Sequence, residues 1–196
     1  MDHNTSIQTY TIISVALLAL FHVYGLELLD AYTSIDEDLL LKYFLVGAGI
    51  PYGFITAWFF IRLYKVSYLK SALWILASAV SYFVAVLVNL IIFFEYIEGS
   101  FSSYFTESIM LFALAGASSG MILVGAFHFL FAKLRLSRAL TILLVATLVP
   151  VLMFLFENIR YGTTTEYDIA SKLCFLVWPV VVTTLLLRYN KSAVFS

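Results

Sequence analysis

Residues 108–131 read SIMLFALAGASSGMILVGAFHFLF, and this is the most informative stretch for the fold class. It contains no Asp, Glu, Lys or Arg, and its one ionisable residue is His128. A helix needs about 20 predominantly apolar residues to cross a hydrocarbon core that is about 30 Å thick. The stretch exceeds that length, so it predicts a membrane-spanning helix.

Five further segments are also long and apolar enough to cross a bilayer. They are residues 8–29, 39–61, 71–94, 139–157 and 169–188. Together with 108–131 they predict an all-α membrane protein, a bundle of six transmembrane helices that forms one polytopic domain over residues 1–196. The connections between them are short, so any function has to reside in the bundle or in these connections.

The composition supports the membrane assignment and excludes several function classes. Of the 196 residues, 63% are hydrophobic and 12% are charged, with a mean hydropathy of +1.00. Soluble domains carry about 25% charged residues, so a soluble enzyme is excluded. The net charge of −1 leaves no basic surface for nucleic acid, and the single Cys174 excludes an internal disulfide.

Charge asymmetry between the connections predicts the orientation. Residues 62–70, 132–138 and 188–191 contain 8 of the 11 Lys and Arg residues, whereas 11 of the 12 Asp and Glu residues fall on the other side. Because cytoplasmic loops are rich in Lys and Arg, both termini are predicted to be cytoplasmic. A compact six-helix chain whose connections are this short suits the plasma membrane of a bacterium, the inner membrane, with the lipid bilayer as its surroundings.

Polar residues inside the predicted spans and at their outer ends are candidates for binding a substrate or an ion. They are His22, Glu27, Asn89, Glu95, Glu98 and Glu157. Ionisable groups inside a membrane are costly, and carboxylates at helix C-termini oppose the helix dipole. One interpretation is an acidic vestibule that binds a cation. The other is a belt of ion pairs with Lys42, Arg160 and Lys172, together with hydrogen bonds to neighbouring helices.

No cofactor is predicted from the two intramembrane histidines. At 1.5 Å per residue, His22 and His128 differ in depth by roughly 15 Å, which is too far for them to hold one haem or metal together. The sequence does not specify a metal.

Helix-breaking residues interrupt the second and fifth spans. The run Gly47-Ala-Gly49-Ile-Pro51-Tyr-Gly53 predicts that helix 2 is broken near Pro51, and Pro150 predicts a kink in helix 5. Pro51 and Pro150 lie near the middle of spans at corresponding positions of two oppositely oriented halves. Such a pattern is typical of inverted-repeat transporters that have a binding site at the midplane.

The fourth span also carries a pattern of small residues. Gly116 and Gly120 form a GxxxG pair, with Gly125 further along the same span. Such glycines allow a second helix to approach closely. We therefore expect a central helix, or a contact with another membrane protein or with a second copy of this chain.

Ser119-Gly120, with Gly125 beyond, resembles the GxSG serine segment of rhomboid intramembrane proteases, which also have a six-helix core. The resemblance makes Ser119 a weak candidate for a nucleophile and implies an intramembrane enzyme. Ala117 stands where that family has its first glycine, and the sixth span, which should supply a histidine as base, has none. These residues are compatible with a degenerate relative of this family.

Three functions remain open from the sequence. The first is a small transporter or channel for a cation or small solute, with an acidic outer vestibule. The alternative is a non-catalytic subunit of a larger membrane complex that packs through the small-residue face of helix 4. The third is an intramembrane enzyme of the degenerate rhomboid-like kind.

Overall fold

The computed structural model describes residues 3–21, 24, 49–88, 91, 104–161 and 168–189. Within these ranges the chain forms helices joined by short connections, and it contains no strand. The helices are α1 (His3–Leu20), α2 (Gly49–Tyr64), α3 (Tyr68–Phe83), α4 (Tyr104–Leu130), α5 (Leu136–Tyr161) and α6 (Asp168–Tyr189). A π-helical segment, Val84–Val88, continues α3.

Three of these helical stretches are long and apolar enough to cross a membrane. They are Tyr68–Leu87, Phe105–Leu130 and Leu136–Phe156. Thr5–Leu20 and Leu176–Arg188 are apolar but shorter. The helical class and the membrane character are therefore those expected from the sequence. The predicted spans 8–29 and 39–61 extend into parts of the chain that the structure does not describe, whereas 169–188 lies within α6.

The helices form a closed ring in chain order. Each packs against its neighbours in sequence, and α1 packs against α6. Residues 65–67 join α2 to α3 and residues 131–135 join α4 to α5, so these neighbours are antiparallel. Pairs of contacts show that each helix from α2 to α6 is antiparallel to the next one. Within each pair, the residue number rises on one helix while it falls on its neighbour. The pairs, in helix order, are Gly49–Ser78 with Gly53–Ile75, Trp74–Phe131 with Ser81–Ser119, Phe112–Phe154 with Gly120–Ala146, and Ala146–Trp178 with Pro150–Cys174.

The ring argues against the inverted repeat that the two prolines suggested. A two-fold axis in the membrane plane exchanges the two membrane faces, so it reverses the sense in which successive helices follow one another. In the ring, α1–α2–α3 and α4–α5–α6 follow one another in the same sense. The two halves are therefore not related by such an axis, and that interpretation was wrong.

The structure describes the second predicted span only from Gly49, so the break expected near Pro51 stays a prediction. α2 runs without interruption from Gly49 through Pro51 to Tyr64. Pro51 stands in the first turn, where its missing N–H is tolerated. The two glycines have a different use: a Cβ on Gly53 would lie 2.8 Å from Ile75 Cα, and one on Gly49 would meet the backbone at Ser78. They let α2 pack tightly on α3.

Five aromatic residues fill the ring at the end where the two short connections lie. Phe60 is at the centre, with ring centroids 4.8 Å from Phe131, 5.3 Å from Trp74 and 5.5 Å from Phe127. Tyr64 also contacts this group. We call these five residues the basal aromatic cluster. Most of the pairs meet edge to face or at a tilt, the arrangements that aromatic quadrupoles favour.

The outside of the bundle is apolar, as expected for a surface that faces lipid. On α5, exposed large side chains recur every fourth residue, at Leu140, Leu144, Leu148, Leu152 and Phe156. A monomeric soluble protein rarely exposes so long an apolar surface. In a bilayer this row contacts hydrocarbon and carries no solvation cost.

Candidate functional site

Most of the predicted vestibule lies outside the described residues. This is so for His22, Glu27, Asn89, Glu95 and Glu98. Glu157 is within α5, but its side chain is not described. The acidic vestibule therefore stays a prediction. The structure does describe the interior of the ring.

A chain of hydrogen bonds links three helices inside the ring. Trp74 Nε1 on α3 donates to Thr56 Oγ1 on α2 at 2.7 Å. The Thr56 hydroxyl in turn donates to the carbonyl of Tyr52 at 2.7 Å. Tyr52 OH lies 2.9 Å from Thr183 Oγ1 on α6. Each of these groups is buried, so the bonds satisfy polar atoms that would otherwise be costly inside a membrane.

The Tyr52 side chain extends across the ring interior to reach α6. It is 1% exposed, and its ring centroid is 6.1 Å from that of Tyr82 on α3. Tyr82 in turn meets Trp178 on α6 edge to face at 6.4 Å. We call Tyr52, Tyr82, Trp178 and Thr183 the interior polar layer. Tyr52 precedes Tyr64, the last residue of α2, by 12 residues, so Tyr52 lies about 18 Å above the basal end of that helix.

A second group of hydroxyls lies beside this layer on α3 and α4. Ser81 Oγ donates to the carbonyl of Ser119 at 3.3 Å, which joins the two helices. Ser78 and Ser119 donate to carbonyls of their own helices, at 2.9 Å to Trp74 and 2.7 Å to Ala115. Small hydroxyl residues therefore mark the inward faces of α3 and α4.

The structure does not bring Ser119 together with a histidine among the residues it describes. His128 is nine residues further along α4, about 13 Å away at 1.5 Å per residue. Its Nδ1 accepts a hydrogen bond from the backbone N–H of Leu134 at 2.9 Å. The arrangement of nucleophile and base that a serine protease needs is not formed by these two residues.

Pro150 creates a special hydrogen-bonding site in the middle of α5. Because proline has no N–H, the carbonyl of Ala146, one turn earlier, lacks its usual helical donor. Trp178 Nε1 on α6 donates to this oxygen at 2.9 Å. Gly116 on α4 packs directly onto the same carbonyl, with the Pro150 ring beside it. The Ala146 carbonyl of α5 is thus in contact with both α4 and α6.

The glycines of α4 differ in their surroundings. A Cβ on Gly120 would lie 2.8 Å from the Cβ of Ala146, and one on Gly116 would collide with the Ala146 carbonyl. A Cβ on Gly125 would meet nothing within 4 Å. The GxxxG pair therefore packs against α5 of the same chain, and Gly125 has open space beside it.

Metal binding has no support in the part of the chain that is described. No group of three His, Cys, Asp or Glu side chains comes together there. Cys174 is partly buried, and its Sγ lies 3.8 Å from the carbonyl of Pro150.

The interior polar layer was missed by the reasoning from sequence. Tyr52 and Thr56 are one helical turn apart on α2, and this spacing places both on one helix face. Polar residues that recur at i and i+4 in an apolar span were the available signal. Their partners on α3 and α6 are set by tertiary packing.

Comparisons with protein-family models, with curated proteins and with solved structures all gave no match. The fold and the interior polar layer define a class: an all-helical protein of membrane type, with buried hydroxyl and indole groups inside a helical ring.

Proposed function

We propose that this protein is a small transporter or channel for a cation or small solute, which enters from the acidic outer side. One observation carries the proposal: the Tyr52–Thr183 pair and its neighbours place hydroxyl groups across the interior of a ring of apolar helices. Polar groups in that position are costly unless they are bonded to one another or to a ligand.

The chemistry of the layer suits a weakly hydrated cation. Hydroxyl oxygens of Tyr52 and Thr183 can replace water around the ion, and the faces of Tyr82 and Trp178 attract positive charge through their quadrupoles. The predicted carboxylates Glu27, Glu95 and Glu157 would raise the concentration of cations above the layer.

The basal aromatic cluster would act as the closed end of the pathway. It fills the ring below the layer, where Phe60 and Trp74 are fully buried. Passage to the basic side would then require that these rings separate. The bundle would thus be open to its ligand from the acidic outer side.

Flux through proteoliposomes tests the proposal. We expect cation-sensitive dyes to report entry of K⁺, Na⁺ or choline into vesicles that contain the protein. Tyr52→Phe should slow this flux about tenfold, because one hydroxyl contact is worth about 1–1.5 kcal/mol. Thr183→Val should act in the same direction.

Thr184→Val is the matched control. Thr184 is the next residue on α6, and its hydroxyl donates to the carbonyl of Val180 in its own helix at 2.7 Å. Its removal should leave the flux unchanged. Flux no faster than in protein-free vesicles, for each solute above, would contradict the proposal. A second protein retained in stoichiometric amount in native mass spectrometry would favour the subunit alternative.

A further inference from the structure

Basic residues gather at the end of the ring where the two short connections lie. We call them the basic face: Arg62, Lys65, Lys70, Lys133, Arg135, Arg138 and Arg188. The rings of Tyr64 and Phe131, 6.0 Å apart, bring the two connections together. Glu107 is the only acidic residue whose side chain the structure describes. It lies in the first turn of α4, at the end of the ring opposite to the basic face. Among the side chains that the structure describes, this face therefore has an excess of positive over negative charge.

The backbone beneath this face is well anchored. Leu134 is 7% exposed and packs into the core, and its N–H is bonded to His128 Nδ1. Its neighbours Lys133 and Arg135 are exposed. In the other connection, Ser67 caps α3 by accepting from the backbone N–H of Lys70 at 3.5 Å. Lys65, Lys133 and Arg135 are thus carried on connections that packing and hydrogen bonds hold in place, and the other cations of the face lie on helices.

Large apolar side chains project from the same end. Tyr68 is 85% exposed, Phe129 81% and Leu136 75%. On α2, the Arg62 guanidinium lies 4.7 Å from the centre of the Trp58 ring. Apolar and aromatic side chains beside cations are the pattern that enters the interface between lipid headgroups and acyl chains. A soluble anion would neutralise the cations but would make no contact with these apolar side chains.

We propose that the basic face binds the headgroups of anionic phospholipids. Lys133 and Arg135 from one connection, Lys65 from the other and Lys70 from the first turn of α3 would contact phosphate groups. Tyr68, Phe129 and Leu136 would lie among the first methylene groups of the acyl chains. Charge complementarity selects an anionic lipid over a zwitterionic one, since attraction to the headgroup grows with each Lys or Arg near the surface. This inference is independent of the proposed transport.

Thermal unfolding of the detergent-purified full chain tests the proposal. Dioleoyl phosphatidylglycerol should raise the midpoint temperature by about 4 °C more than dioleoyl phosphatidylcholine, since a ligand that binds only the folded state stabilises it. Lys133→Gln should reduce this difference. The matched control is Lys172→Gln, which removes the same charge near the start of α6, at the opposite end.

Lys65→Gly separates loss of binding from loss of folding. Lys65 has a backbone φ of 50°, a left-handed conformation that strains residues with a Cβ. Glycine relieves this strain, so the variant should unfold at the same temperature as the wild type or higher when no lipid is added. With phosphatidylglycerol it should show a smaller shift than the wild type.

Three results would overturn the inference. Equal shifts with the two lipids would show that the headgroup charge is not recognised. The same shift with inorganic phosphate at equal concentration would show that a free anion suffices. If Lys172→Gln reduced the difference between the two lipids as much as Lys133→Gln does, only the overall charge would matter.

Discussion

Gly116→Ala is expected to lower the free energy of unfolding by about 3 kcal/mol, the upper part of the usual range for overpacking. The new Cβ would collide with the backbone carbonyl of Ala146 and lie 3.0 Å from Pro150 Cγ. A backbone carbonyl cannot rotate away as a flexible side chain can, so α4 and α5 would have to separate. The measurement is thermal or denaturant unfolding in detergent.

Gly125→Ala is the matched control for this prediction. It makes the same chemical change in the same helix, nine residues further on, where a Cβ meets nothing within 4 Å. Alanine also has a higher helix propensity than glycine, so this variant should stay within about 1 kcal/mol of the wild type or be slightly more stable. If the two variants were equally stable, close packing at Gly116 would not be what holds α4 against α5.

Trp178→Phe is expected to destabilise the protein by about 2–3 kcal/mol. The indole N–H is the donor to the Ala146 carbonyl, which has no helical donor because residue 150 is proline. Phenylalanine keeps an aromatic ring near Tyr82 but leaves a buried carbonyl without this bond. The same unfolding assay measures the effect.

Pro150→Ala supplies the test of this mechanism. Alanine at position 150 restores an N–H that can bond the Ala146 carbonyl within α5. The cost of Trp178→Phe should therefore be smaller by about 1 kcal/mol in the Pro150→Ala background than in the wild type. Additive effects in this double-mutant cycle would mean that Trp178 stabilises the bundle by packing alone.

The class of the fold was accessible from local sequence. Long runs without charge, such as 108–131, predict membrane helices because hydrocarbon tolerates only backbone whose polar groups are bonded within the segment. The glycines of 108–131 likewise predicted close helix contacts. Neither feature identifies the partner helix, and the structure shows that α5 of the same chain packs on Gly116 and Gly120.

The roles of Gly49 and Gly53 on α2 and of Pro150 on α5 depend on the neighbouring helices. Gly49 and Gly53 looked like breakers, yet each faces a close backbone contact with α3. The position of Pro150 in the sequence suggests half of a repeat, whereas in the structure its missing N–H frees the Ala146 carbonyl for Trp178. A local pattern shows that a helix contains an unusual residue, such as a glycine or a proline. The packing of neighbouring helices against that residue shows what it does.

The amino-acid sequence alone predicts the helical membrane class, because hydrophobic length and charge are properties of a segment and its flanks. The order of helices around the ring and the pairing of Tyr52 with Thr183, 131 positions apart, arise only in the tertiary structure. Such a hydrogen bond depends on how α2 and α6 are rotated about their axes. That rotation is set by the summed packing of the surrounding helices, which no local pattern encodes.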